Sequence, residues 1–281
     1  MKTRIKTGII IGLIFLALVI CGKLFPAFCI FDGVLATLCG IATYEMLHNC
    51  SFVKSKFITV SSIVFSVYNV LCMGKLSEYL YLPDYSEYIC ALFVVVMYMY
   101  SMFDRKNSSA VEPVFAFGMS IALGYAFGSL LSLVSSSGES GIFYLVACLI
   151  FAWVTDIGAY FTGVFFGKHK LCPELSPKKT VEGAVGGVVL CVILMFVYCL
   201  IFNAVSFEYD ANILTILLIT APMSVVGMLG DLIFSYIKRY CKIKDYGNLL
   251  PGHGGILDRF DSILVISPVF YFLSKILPLL N

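Results

Sequence analysis

The sequence predicts an all-α polytopic integral membrane protein with about nine transmembrane helices, N-terminus inside and C-terminus outside. Three observations carry that prediction. Only 13% of its 281 residues are charged, 60% are hydrophobic, and mean hydropathy is +0.97; a soluble domain carries about 25% charge. Apolar runs recur along the whole length, each near the ~20 residues a helix needs to cross about 30 Å of hydrocarbon. These runs lack the period-2 alternation of a membrane barrel strand, and in lipid only helices or closed barrels satisfy the backbone.

The spans are expected at 8–22, 26–46, 57–74, 86–103, 111–135, 141–167, 183–203, 212–235 and 262–280. The first resembles a signal peptide, because Lys2, Arg4 and Lys6 precede an apolar core. Lys23-Leu24-Phe25-Pro26 follows it in place of a small-residue cleavage site, so it is kept as a span. Charge fixes the orientation. With the N-terminus inside, segments 1–7, 47–56, 104–110, 168–182 and 236–261 hold 16 of the 19 basic residues, leaving Lys23, Lys75 and Lys275 outside. The outer loops are acidic instead, with Glu78, Asp84, Glu87, Glu139, Glu208 and Asp210. A multi-pass protein of the cytoplasmic membrane follows, with no feature of a nucleic-acid binder.

The two longest inner connections, 168–182 and 236–261, hold the Gly, Pro, Lys and Asp clusters. Residues 1–140 therefore form a membrane scaffold, and 141–281 form the catalytic membrane region. The eleven cysteines fall mostly in apolar runs without CxxC spacing, which makes them free thiols packing as small hydrophobes. Zinc on Cys172 or Cys241 with His169 or His253 lacks motif spacing.

Asp156 lies inside a span. A carboxylate there costs at least ~2.5 kcal/mol on insertion scales, so it faces a bundle interior or a polar cavity. It either bonds Thr155 or another helix, or it serves a metal. Ser176-Pro177 can open a helix, setting free N–H groups beside Lys178, Lys179 and Thr180. Such a start seats phosphate, although a lysine pair at an inner face is equally a topology signal or a headgroup contact. Asp231 lies near the inner end of the eighth span, one helical turn before Ser235 and two before Lys238. Asp258 and Asp261 share a face if a helix begins there. Oxygen donors of this kind suit Mg²⁺ better than Zn²⁺; the alternative is a solvated Asp258–Arg259–Asp261 ion-pair cluster. Pro251-Gly252-His253-Gly254-Gly255 offers backbone amides for an anion nest.

Ser235 to Asp261 satisfies, without a gap, the signature S-x-[aliphatic]-K-R-x4-K-D-x-[small]-x2-[apolar]-[PG]-x-H-G-G-[apolar]-x-D-R-[apolar]-D. In this it resembles the phosphatidate cytidylyltransferase (CDP-diacylglycerol synthase) family. Asp156-Ile-Gly-Ala-Tyr, Gly167-Lys-His-Lys-Leu and Ser176-Pro-Lys-Lys-Thr-Val-Glu-Gly resemble the family's second block. The match is close over 150–265; before residue 140 it is one of hydropathy, with Glu45 a faint correspondence. The resemblance implies CMP transfer from CTP to phosphatidate, giving CDP-diacylglycerol and pyrophosphate at the cytoplasmic face.

It further implies Mg²⁺ with a second cation such as K⁺, held by Asp231 and Asp258, with Asp261 close and Asp156 in support. Lys178, Lys179 and Thr180 would cradle nucleotide phosphates. Lys238, Arg239, Lys244, His253 and Arg259 would neutralise pyrophosphate and the lipid phosphate. Ser176 and Ser235 would be hydroxyl contacts, and Gly254 and Gly255 loop contacts. Val181 stands where some relatives carry an aromatic residue. A homodimer is left open.

The rivals are a nucleotidyltransferase acting on another lipid phosphate, and a cation-coupled transporter, whose expected inverted repeat is absent. A CDP-alcohol phosphotransferase fails because Asp32-Gly33 is followed by Val34-Leu35-Ala36-Thr37.

Overall fold

A computed structural model describes residues 28–74, 76, 86–104, 109–135, 139–250, 252 and 254–281. The expected first span at 8–22 lies outside the described residues. So do His253, Pro251 and the inner-side cations Lys2, Arg4, Lys6, Arg105 and Lys106.

The other eight expected spans coincide with helices. These are α1 (Phe28–Tyr44), α2 (Lys56–Cys72), α3 (Ser86–Phe103), α4 (Val111–Val134), α5 and α6 (Glu139–Leu149 and Thr155–Phe166), α7 (Val181–Val205), α8 (Ile213–Tyr240) and α9 (Leu257–Ile276). A π-helical turn, Glu45–Asn49, prolongs α1, and another, Ile150–Val154, joins α5 to α6. Among the described residues, four helices are long and apolar enough to cross a membrane: Val111–Val134, Ser140–Phe166, Val181–Val205 and Ile213–Tyr240. Two shorter apolar helices are Lys56–Cys72 and Tyr88–Phe103.

Two details differ from expectation. The all-α class carries one small addition, in which β1 (Lys170–Cys172) and β2 (Ser176–Thr180) form an antiparallel pair. The inner segment expected at 236–261 is also shorter than its charge suggested. α8 continues to Tyr240, with Lys238 and Arg239 in its last turn, and α9 starts at Leu257, with Asp258 in its first turn. Both placements complement the helix dipole, which favours cations at a C-terminus and anions at an N-terminus.

The chain divides into two compact units: residues through Ser135 together with Cys241–Arg259, and Ser136–Tyr240 together with Phe260–Asn281. Segment 241–259 thus belongs to the first of these units.

In the first unit Phe65 stacks on Phe93, ring centroids 4.3 Å apart, over a core that includes Leu47, Ile58 and Met97. Glu112 is buried and accepts hydrogen bonds from the Lys54, Ser55 and Ser109 amides, satisfying backbone donors at two helix starts. In the second unit Phe151 meets Phe270 edge-on, and Phe143 stacks on Tyr198. α6 and α7 approach at van der Waals limits because glycines face each other. A Cβ on Gly187 would lie 2.6 Å from the Thr155 carbonyl oxygen, and one on Gly183 2.6 Å from that of Ala159. Small residues at such seams let helices approach closely where lipid offers no hydrophobic drive. Large apolar side chains such as Val185, Val189 and Ile193 stand exposed on α7, as a lipid-facing surface requires. At the far end Asp210 and Asn281 exchange backbone hydrogen bonds of 3.2 and 2.9 Å, tying the C-terminus to the start of α8.

Candidate active site

The segment 168–182 is a clasped hairpin. Lys170 pairs with Thr180 and Cys172 with Ser176. The helix start expected at Ser176-Pro177 therefore falls at Val181. Thr180 is the cap, its Oγ1 accepting the Gly183 amide at 3.1 Å. A strand won because its partner strand satisfies the backbone that Ser176 would otherwise have had to cap, and because Thr180 is itself a good N-cap. Glu182, in the first turn of α7, accepts the Lys168 and His169 amides at 3.0 and 3.2 Å and pairs with His169 Nδ1 at 2.6 Å. The base of the hairpin is thereby locked to the helix that follows it.

Behind the hairpin lies a cavity of about 610 Å³. Lys170, Ser176, Lys178, Lys179 and Thr180 line it from the hairpin, Asp156 from α6 and Asp231 from α8. Ala159, Val164, Ala184 and Met228 supply an apolar wall. Cations and hydroxyls thus face carboxylates across a space that also has a greasy side.

The carboxylates depend on close helix packing. A Cβ on Gly230 would lie 3.0 Å from the Asp261 carbonyl oxygen, so glycine there lets α9 come close to α8 beside Asp231. Asp156, Asp231 and Asp261 are near enough to repel one another, and Lys179 and Lys238 offset part of that charge. The Lys179 ammonium is shut off from solvent and faces Asp231 Oδ2 at 2.5 Å, as an ion pair without hydrogen-bond alignment. Along α8, Ser235 Oγ donates to Asp231 Oδ1 at 3.3 Å and Arg239 Nε reaches the Leu175 carbonyl at 3.5 Å. The expected set Asp156, Ser176, Lys178, Lys179, Thr180 and Asp231 is therefore gathered in one place.

In the other unit, the described residues of segment 241–256 form a loop with left-handed backbone at Lys242, Gly252 and Gly254. Leu250 N donates to Gly254 O at 2.9 Å, closing its tip. One amide of the expected nest, that of Gly255, is already taken from within. Asp258 is buried, and its Oδ2 accepts the Tyr246 amide at 2.7 Å and the Gly255 amide at 3.0 Å. Gly254 takes a φ of +86°, and a Cβ there would press on the same Oδ2 at 2.8 Å, so glycine is required on both counts. Lys244 and Arg259 are exposed beside this loop.

A chain-wide match identifies the family. The model of the cytidylyltransferase family matches residues 2–277. The chain belongs to the cytidylyltransferase family. Curated relatives agree: the phosphatidate cytidylyltransferase of Bacillus subtilis (strain 168) is 36% identical over 277 residues, covering 97% of each chain. Those of Staphylococcus aureus (strain COL) and Staphylococcus haemolyticus (strain JCSC1435) are 33% and 34% identical, covering 97% of this chain and 98% of theirs. The similarity thus includes the first 140 residues, where only hydropathy had spoken.

In this candidate site the carboxylates are of a type that suits a hard divalent cation keeping other oxygen ligands. Among the described residues no three His, Cys, Asp or Glu side chains converge to close a shell on their own. Mg²⁺ commonly takes one or two carboxylates, with substrate phosphates and water as the remainder. Clustered carboxylate charge, offset in part by two lysines, is the local sign that a cation fits. In the sequence, Tyr160, Lys170 and Glu182 fall within the second block without an assigned role, and Glu45 carries almost no weight. Lys170 and Tyr160 line the cavity from ordinary-looking positions, whereas Glu182 could have been found as an acid in the first turn after a Thr cap.

Proposed function

We propose that this cytidylyltransferase moves the cytidylyl group of CTP onto phosphatidate. A phosphate oxygen of the lipid attacks the α-phosphorus of CTP in line, the bond from that phosphorus to the bridging oxygen breaks, and pyrophosphate leaves with the electron pair. The attacking oxygen is already ionised near neutral pH, so no general base is needed; positioning and charge neutralisation do the work. The observation that carries this reading is the cavity itself, in which phosphate-binding side chains on a clasped hairpin oppose Asp156 and Asp231 beside an apolar wall.

Lys178, Lys179 and Thr180 hold the nucleotide phosphates, with Ser176 as a further hydroxyl contact. Asp231, with Asp156 and Asp261, would hold Mg²⁺, and a second cation such as K⁺ would complete the charge balance. When bound, the cation neutralises charge developing on the transferring phosphoryl group. Lys179 and Asp231 face each other as an ion pair; Lys179 would bind a nucleotide phosphate and Asp231 would hold the cation, so each charge has a partner in either role. Lys238, Arg239, Lys244, His253 and Arg259 neutralise pyrophosphate and the lipid phosphate, and Ser235 orients Asp231. Asp258 is required as a further carboxylate, and Gly254 and Gly255 as the turn it grips.

The chain has nine spans, with the site at the cytoplasmic face of the membrane, where water-soluble CTP meets a lipid-held phosphate. Basic inner segments and acidic outer loops support that orientation. Purified protein given CTP, Mg²⁺ and phosphatidate releases pyrophosphate and forms a cytidylylated lipid; release that ignores added phosphatidate would remove phosphatidate as the acceptor.

A further inference from the structure

Glu45 belongs to the segment in which the sequence showed least chemistry, yet it is 3% exposed and its carboxylate is fully engaged. Oε1 accepts the Ile256 amide at 3.0 Å and Oε2 the Leu257 amide at 2.9 Å. Room for it exists only because two neighbours lack side chains. A Cβ on Gly247 would stand 2.5 Å from Oε1, and one on Gly255 would collide with both oxygens. One turn further along the same π-helical segment, Asn49 Nδ2 donates to the Tyr246 carbonyl. Asp258 takes the Tyr246 and Gly255 amides from the other side.

Two buried carboxylates and one amide therefore hold both ends of the segment from Tyr246 to Leu257 by its backbone. The π-turn explains the reach, since such turns rotate side chains off the helical face that an unbroken helix would present. A buried acid beside a second buried acid is costly unless its hydrogen bonds are fully made. The arrangement stores that cost in return for one loop conformation.

We propose that Glu45, assisted by Asn49, is a positioning residue for the transferase. It fixes the 246–257 loop, and through it sets Lys244, Asp258 and Arg259 for phosphate work. The inference rests on the cytidylyl-transfer reading, because it is that reaction which the loop would serve. Glu45 touches no substrate.

The test compares Glu45→Ala, Glu45→Gln and Asn49→Ala in the purified full chain by hydrogen exchange of the 245–258 amides and by kinetics. Glu45→Ala strands two buried amides, which predicts exchange at least about tenfold faster and a combined loss in kcat/KM of about tenfold to a hundredfold. Part of that loss appears as a raised KM for CTP. Glu45→Gln keeps one acceptor and falls between wild type and Ala, and Asn49→Ala loosens exchange at Tyr246 alone. If the Ala variant does not accumulate folded, Gln and Asn49→Ala carry the same comparison. Unchanged exchange overturns the proposal, as does faster exchange with kinetics within about twofold of wild type. A lower kcat with both KM values and exchange unchanged also overturns it, because that signals lost folded enzyme. Should wild type form no cytidylylated lipid, the transferase reading fails and the positioning role fails with it, while the exchange arm still decides whether Glu45 clamps the loop.

Discussion

Replacing Lys179 by Met tests whether the ion pair with Asp231 is a resting partnership that substrates exchange. At 2.5 Å and an effective dielectric of about 20, the direct attraction is roughly 7 kcal/mol. Desolvation of two largely buried charges offsets most of it, leaving a net coupling of about 1–3 kcal/mol. Lys179→Met alone leaves Asp231 facing Asp156 and Asp261 with less compensation, so the thermal midpoint should fall by several degrees, at about 2–4 °C per kcal/mol for a chain of this size. Asp231→Asn added to it removes the stranded charge and should recover at least half of that loss.

Activity should behave oppositely: the double variant stays inactive, having lost both a phosphate ligand and a cation ligand. Without nucleotide, Lys179→Met should also bind Mn²⁺, used as a paramagnetic probe for Mg²⁺, more tightly than wild type because no ammonium competes for Asp231. Losses in midpoint that simply add, together with unchanged Mn²⁺ affinity, would refute the partner exchange.

Other perturbations follow from the same geometry. Thr180→Ala removes the cap on α7 and should cost about 1 kcal/mol of stability, whereas Thr180→Ser should keep most of it; equal midpoints for the two would show that the cap carries nothing. Gly187→Ala forces a Cβ against the Thr155 carbonyl and should destabilise by about 1–3 kcal/mol, while Gly118→Ala, with nothing within 4 Å, should be neutral within about 0.5 kcal/mol; thermal midpoints side by side decide this. Chelation with EDTA should stop pyrophosphate release and Mg²⁺ should restore it; turnover that survives chelation would exclude the cation. Asp231→Asn and Asp258→Asn should each abolish turnover while leaving membrane expression intact, and a near-normal rate in either would remove that carboxylate from the reaction.

The helices were legible because lipid imposes one demand, a long apolar run, that composition shows directly. Their ends were less so. Charge suggested a long inner loop from 236, but Lys238 and Arg239 are helical, since cations are favourable in a last turn. Ser176-Pro177 carried the local signal of a helix start; pairing with Lys170–Cys172 overrode it, and the cap passed to Thr180. Six cavity residues were singled out in the sequence: Asp156 because a carboxylate inside a span needs a reason, Asp231 by its place near a span end, and Ser176, Lys178, Lys179 and Thr180 as a cluster of cations and hydroxyls beside an expected helix start.

The backbone contacts of the 246–257 loop were not legible. Its glycines suggested an open nest for an anion, whereas the amides of Gly255, Ile256 and Leu257 are already donated to Asp258 and Glu45. Glu45 meets partners 211 and 212 residues away, a separation at which no local pattern operates. The π-turn that aims it has no periodicity to betray it.

The central claim is that this site joins the α-phosphorus of CTP to the phosphate of phosphatidate. The most direct measurement is pyrophosphate release by the purified protein with CTP and Mg²⁺, run with and without phosphatidate, while radiolabelled cytidine is followed into the lipid phase. The account predicts release that requires phosphatidate, with one labelled lipid formed per pyrophosphate. Release without phosphatidate, or label that stays in the water phase, would contradict it.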